Sequence, residues 1–282
     1  MNAKLRISLI ACAICGATAI KSWASGGAVE TMRDFQNASH SPNPPNFQLN
    51  TNVQLFVNRG DLAFKNGRYE EAASCFTSAL QGQTPSDKKA TAAIYSRRCA
   101  ALLHLNRLDK AYADANAAIA LDPGLFNPYV NRGLLYRLRG QLDNAMRDYN
   151  TAIQLNPGAV LAFNNRGIVY HRKGQYQRAI QDFNDAIRLD PNYANAYLNR
   201  GTSYQALRQF NRALADYTEA IRRDSRVENA HFNRGNLYFE LGEYDRAIAD
   251  LTEAIRRNGD QNAYALRAQA YHKKNQPEKP AR

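Results

Sequence analysis

Apolar and polar positions along this chain alternate in blocks of helical period, and the blocks themselves repeat. Phe163, Gly167 and Tyr170 are followed by Ala179, Phe183 and Ala186, at the three- and four-residue spacings that put side chains on one stripe of a helix. The same order returns as Tyr129, Gly133, Tyr136, Ala145, Tyr149 and Ala152. Gly67, Gly140, Gly174 and Gly242 sit where the first stripe of a block must stop, because glycine tolerates the left-handed cap conformation. Pro123, Pro157 and Pro191 mark the end of the second, since proline cannot continue a helix interior. Each block therefore predicts a helical hairpin. The tripeptide Asn-Arg-Gly at 131–133, 165–167, 199–201 and 233–235 recurs every 34 residues, and self-similarity at that period predicts a stacked array.

Units begin near Val53, Ala92, Phe126, Val160, Ala194 and Glu228, with a partial seventh near Gln261. Arg98, Arg132, Arg166, Arg200 and Arg234 keep the 34-residue interval; Arg59 precedes Arg98 by 39 and Arg267 follows Arg234 by 33. Both irregularities fall in turn chemistry, at 82–89 and 258–260. The units resemble tetratricopeptide repeats (TPR) over roughly residues 53 to 272, with departures at Cys99 for Gly, Ala115 for an aromatic, and Ser225 and Gly259 for Pro. The resemblance implies an all-α, right-handed superhelical solenoid of about six TPR hairpins plus a C-terminal capping helix, spanning 51–275. Small residues allow the helices of a hairpin to approach closely, large ones fill the spaces between hairpins, and no unit buries its apolar face alone.

The ends read differently. A basic start at Lys4 and Arg6, an apolar run from Ile7 to Ile20 and Ser22-Trp23-Ala24 follow the order of a secretory signal peptide over 1–24. Leu9-Ile10-Ala11-Cys12 also resembles a lipobox, a lesser route that would leave a lipid-anchored chain. Residues 25–50 read as a Pro/Asn/Ser-rich linker and 276–282 as a disordered tail. Cleavage after Ala24 removes Lys4, Arg6 and Lys21, taking the net charge from +12 to +9, and leaves Cys75 and Cys99 as either a disulfide or two buried small side chains. No later segment reaches the roughly 18 apolar residues of a membrane helix. The expected location is exported, periplasmic or secreted.

Chemistry enters through the repeated polar columns. Arg at position 7 of every unit meets Asp at position 23, as Asp114, Asp148, Asp182, Asp216 and Asp250, which predicts a ladder of bidentate pairs; Cys75 leaves one rung without its Asp. Position 6 carries Asn58, Asn131, Asn165, Asn199 and Asn233, with Arg97 in the second unit. The resemblance places this column in the concave groove, similar to the asparagine ladder in the TPR domain of O-linked N-acetylglucosamine transferase. An amide there could pair with an extended peptide backbone or satisfy local groups. Arg137 and Arg172 lie nearer the same side and would favour acidic partners. The Lys and Asn pattern of the chaperone-tail carboxylate clamp is not reproduced.

His104, His171, His231 and His272 fall at different repeat positions and show no metal-ligand spacing, and no nucleophile motif or phosphate loop is present. The expectation is a non-catalytic scaffold, without cofactor, metal or nucleic-acid partner, binding a protein or peptide and organising cell-envelope proteins. Two alternatives stay open: a structural, self-associating array, and a basic binder of anionic envelope polymers.

Overall fold

The computed structural model describes residues 50–82, 87–227, 229–259 and 261–275. The leader, most of the linker and the tail expected at the ends lie outside the described residues. Thirteen helices and no strand occur among the described ones: α1 Thr51–Lys65, α2 Tyr69–Gln81, α3 Lys88–His104, α4 Leu108–Leu121, α5 Phe126–Leu138, α6 Leu142–Leu155, α7 Val160–Arg172, α8 Tyr176–Leu189, α9 Ala194–Ala206, α10 Phe210–Arg223, α11 Ala230–Glu240, α12 Tyr244–Asn258 and α13 Gln261–Asn275. Odd and even helices pair as six antiparallel hairpins, and α13 covers the last of them. Each odd-numbered helix also touches the next odd-numbered helix, so the first helices line one continuous wall of the superhelical solenoid.

Two kinds of turn separate the helices. First helices end in a residue of positive φ, whose following N–H reaches back to the last turn, as Gln141 N to Tyr136 O at 2.8 Å. Gly67, Gly140, Gly174 and Gly242 fill that place, but Asn106 and Arg208 adopt it as well. The second helices α4, α6, α8 and α10 end on an extended Asp or Asn whose side chain accepts from the N–H two residues on: Asp122 to Gly124, Asn156 to Gly158, Asp190 to Asn192, Asp224 to Arg226. Ser225 replaces proline without loss because the turn is held by Asp224, and proline only reinforces the extended backbone before it.

The core of four of the six hairpins is a ring set on a glycine. A Cβ built on Gly167 would lie 2.6 Å from Cε1 of Phe183, and the same clash recurs between Gly60 and Phe76, Gly133 and Tyr149, and Gly201 and Tyr217. In the second hairpin Cys99 stands in the glycine position and Ala115 in the ring position, and both are fully buried. The two departures are one compensation: the side chain gained on α3 occupies space that the ring would have filled on α4. Cys75 and Cys99 are free, buried thiols, not a disulfide.

Gly167→Ala should therefore lower stability by about 1–3 kcal/mol, the usual cost of overpacking. The double substitution Gly167→Cys, Phe183→Ala, which copies the second hairpin, should recover part of that loss in chemical denaturation.

Candidate functional site

The ladder expected from the Arg and Asp columns is present. Arg98–Asp114, Arg132–Asp148, Arg166–Asp182, Arg200–Asp216 and Arg234–Asp250 each make two parallel bonds of 2.7–2.9 Å, from Nε and Nη2 to the two carboxylate oxygens. The paired carboxylate lies on the second helix of the same hairpin. The remaining Nη1 reaches the hairpin before it, at Thr77, Asn116, Asn150, Asn184 and Thr218. This third contact was missed from sequence, although Asn or Thr stands two residues after every ladder Asp. Arg166 also lies over the Phe163 and Tyr170 rings, at 5.6 and 5.9 Å. The hydrogen bond to Asp182 holds the Arg166 guanidinium above its ordinary value despite burial, while burial raises the Asp182 carboxyl against the opposing pull of Arg166. Where Cys75 interrupts the acidic column, Arg59 turns to Glu71 at 3.1 Å instead.

The position-6 column does not form one open row. Asn58 is exposed and accepts from Gln54 of its own helix at 2.6 Å. Arg97 bonds Asp61 of the preceding first helix at 3.1 Å. Asn131 and Asn199 are buried and also bond to the preceding first helix, to the Ser96 carbonyl at 3.4 Å and to Asn164 Oδ1 at 2.9 Å. Asn233 is half-buried. Asn165 is fully buried, and neither its Oδ1 nor its Nδ2 has a hydrogen-bond partner. The residue it would meet on the preceding helix is Val130, whose side chain has no polar atom. Asn131 Oδ1 and Asn164 Nδ2 are unbonded too, so α5 and α7 together carry unfilled donors and acceptors.

A second polar column runs along the same wall, at position 12: Phe64, Leu103, Arg137, His171, Gln205 and Phe239. It is apolar toward the ends and polar in the middle. Arg137 is buried beside the Tyr149 hydroxyl, close to Arg172. Burial, with Arg137 adding repulsion, pushes Arg172 down to about 10. Gln205 accepts from Tyr217 at 2.7 Å. Ser203 donates to the Asn199 carbonyl, so its oxygen accepts from His171 Nδ1 at 2.9 Å. Arg137 and Arg172 are thus brought together, while Arg97 stands apart in its ion pair near the start of the array.

The ladder's structural role has a direct check. Arg166→Met strands a buried carboxylate and should cost about 3 kcal/mol; Arg166→Met with Asp182→Leu should recover most of it in thermal or urea denaturation.

Burial pushes the His104 and His171 imidazoles from 6.5 down to about 4, with Arg172 contributing at His171. The rings stay neutral in the fold, whereas the unfolded chain takes up protons near 6.5. Stability should be complete above that value and fall as the pH drops toward about 4. Urea midpoints across this window should show the decline, with a shallower slope in His171→Gln.

The family model described as tetratricopeptide repeat matches residues 57–125, 198–263 and 232–279, and one described as TPR repeat matches 133–174 and 169–208. Among curated proteins, a DnaJ homolog subfamily C member 7 homolog from Dictyostelium discoideum is 36% identical over 73 residues, covering 26% of this chain. The match spans only 13% of that relative's length. Among solved structures, a tetratricopeptide repeat protein from Parabacteroides merdae is 20% identical with a TM-score of 0.60, covering 80% of this chain and 88% of its own. YrrB, described as a TPR protein with an unusual peptide-binding site, is 22% identical with a TM-score of 0.52, covering 73% of this chain and all of its own.

Proposed function

The chain belongs to the tetratricopeptide repeat family, and we propose that it is a non-catalytic scaffold that holds an extended peptide segment of a partner protein along the wall of first helices. The observation that carries this reading is the amide of Asn165, fully buried with both of its polar atoms unbonded. A buried unpaired polar group costs about 1–3 kcal/mol, so its retention calls for a group that supplies the missing bonds. Asn131 Oδ1 and Asn164 Nδ2 extend the demand to both an acceptor and a donor. A peptide main chain offers N–H and C=O in alternation and meets that demand with one ligand. Arg137 and Arg172 favour a segment with acidic character at that point.

The sequence of residues 1–24 supports export, which would place the scaffold in the periplasm or outside the cell, among envelope proteins. Peptide recognition in one structural neighbour, YrrB, is a property of that protein and shares only the fold.

Asn165→Ala separates recognition from architecture. Each amide bond to a ligand is worth about 0.5–1.5 kcal/mol, so affinity for a peptide captured from the native partner should fall up to about tenfold. Thermal stability should be unchanged or higher, because an unpaired buried amide has been removed. A drop in stability with affinity intact would assign Asn165 to packing and defeat the proposal.

A further inference from the structure

Along one edge of the array, the turns inside successive hairpins are tied to one another by ion pairs. Arg139 pairs with Asp109 at 2.7 Å, Lys173 with Asp143 and Lys274 with Asp245. Arg107 and Glu70 make the same kind of link at 2.9 Å. The first three pairs share one repeat register, so the members that fall between them can be read off. Leu207 and Leu241 stand at the cation place, and Gln177 and Asn211 at the acid place. Both charges are thus gone at two consecutive junctions.

A cleft of about 510 Å³ lies at the second of these junctions, lined by Arg208, Gln209, Phe210, Asn211, Arg212 and Leu241. Leu241 is 39% exposed there. The Arg208 guanidinium lies 5.3 Å over the Phe210 ring. Arg212 donates to Gln209 at 3.0 Å and lies over the Tyr204 ring. Neither arginine pairs with a carboxylate among the described residues. The acids that follow in the chain are engaged elsewhere: Glu240 accepts from Gln205 and Asn236, Glu243 pairs with Arg246, and Asp245 with Lys274. Turns 173–178 and 207–212 contain no Asp or Glu, whereas 66–71, 105–110, 139–144 and 241–246 each contain at least one.

Arg208 is also held against the preference of its backbone. Its φ is 57°, in the place that Gly67, Gly140, Gly174 and Gly242 fill in other hairpins. Glycine adopts that conformation freely, and a long side chain does not. Surface ion pairs of the kind lost here contribute little to stability, so the fold tolerates the exchange without requiring it. The exchange leaves two uncompensated guanidiniums beside a leucine and a phenylalanine, around an open volume.

We propose that this cleft is a second docking site, on the turn edge rather than on the wall of first helices, for an acidic peptide segment of a partner protein in which a large apolar side chain is flanked by Asp or Glu. The apolar side chain rests on Phe210 and Leu241, and the carboxylates meet Arg208 and Arg212, whose planar forks accept two oxygens at a time. The volume is that of a site for a side chain with its flanks, and its lining is too apolar for a bare inorganic anion. The site is independent of the Asn165 amide and stands or falls apart from it.

Nuclear magnetic resonance titration of the full chain tests this, with the capped peptide Asp-Glu-Leu-Asp-Glu and its neutral counterpart Asn-Gln-Leu-Asn-Gln as probes. The acidic peptide should shift the backbone amides of 207–212 and Leu241, and bind at least about tenfold more tightly than the neutral one. Arg208→Gly removes the guanidinium and relaxes the turn, so binding should weaken about fivefold or more while the melting temperature holds or rises. Asn211→Asp with Leu241→Arg rebuilds in the cleft the pair that Arg139 makes with Asp109, and should abolish the shifts in a chain that melts no earlier. Asn165→Ala should leave this binding unchanged. Equal affinity for the two peptides, shifts confined to other residues, or undiminished binding to the double variant each overturns the proposal. So does a chain that ignores the acidic peptide but sediments with phosphatidylglycerol vesicles in an Arg208-dependent way, which assigns the patch to a lipid surface.

Discussion

The structure depends on one guanidinium per repeat that is held from three sides. A ladder Arg grips the carboxylate of its own second helix through two bonds and the preceding hairpin through a third, while aromatic rings enclose its faces. Ordinary surface ion pairs contribute little because solvent screens them and their side chains must be ordered. These differ: each Asp is nearly buried, and the fork geometry fixes the angle between helices as well as their distance. Register is transmitted the same way. A stack of near-identical apolar faces could slide or mispair, but a guanidinium that needs Asp at one offset and Asn or Thr at another accepts one alignment. Lys at this place could not bond three groups in a plane.

The second constraint is volume. Where a second helix carries the ring, it rests where a first-helix side chain would begin, so glycine and ring must be chosen together. Cys99 with Ala115 shows that the requirement falls on their sum. Single-column comparison counts this hairpin as having two defects, whereas packing counts none. The sixth unit relaxes the pair another way, with Leu251 rather than a ring against Gly235, and the approach opens to 3.1 Å.

Such regularity made the fold legible. A fixed period, glycine and proline in the turns and small–aromatic alternation located the helices from Thr51 to Asn275, and the Arg and Asp columns predicted the rungs. The Asn column was legible only as a column. Its position on the first helix was correct, but its chemistry depends on what the preceding helix offers: Asp61 for Arg97, a Ser96 carbonyl for Asn131, Asn164 for Asn199 and no hydrogen-bonding group for Asn165. Reading it required pairing residues 35 or 36 apart in adjacent columns, where repeat alignment compares like with like. The substitution of Asn or Thr two residues after each Asp was visible in sequence, yet it acquires meaning only when the next hairpin's Arg is seen to reach it.

What is common to all units is therefore accounted for by packing, and recognition must be sought where units differ. Position 12 supplies such a difference. It holds Phe64 and Leu103 at one end and Phe239 at the other, where apolar contact suffices, but Arg137, His171 and Gln205 between them. His171 and Gln205 are held by partners that the end units do not have, Ser203 and Tyr217, and Arg137 lies beside the Tyr149 hydroxyl. The unbonded amide atoms of Asn131, Asn164 and Asn165 fall in the two units that carry Arg137 and His171. Stability alone would favour the apolar solution already used at the ends, since burying polar groups lowers it unless every bond is made. A polar centre that is partly satisfied from within and partly left open is the arrangement expected of a wall completed by another chain.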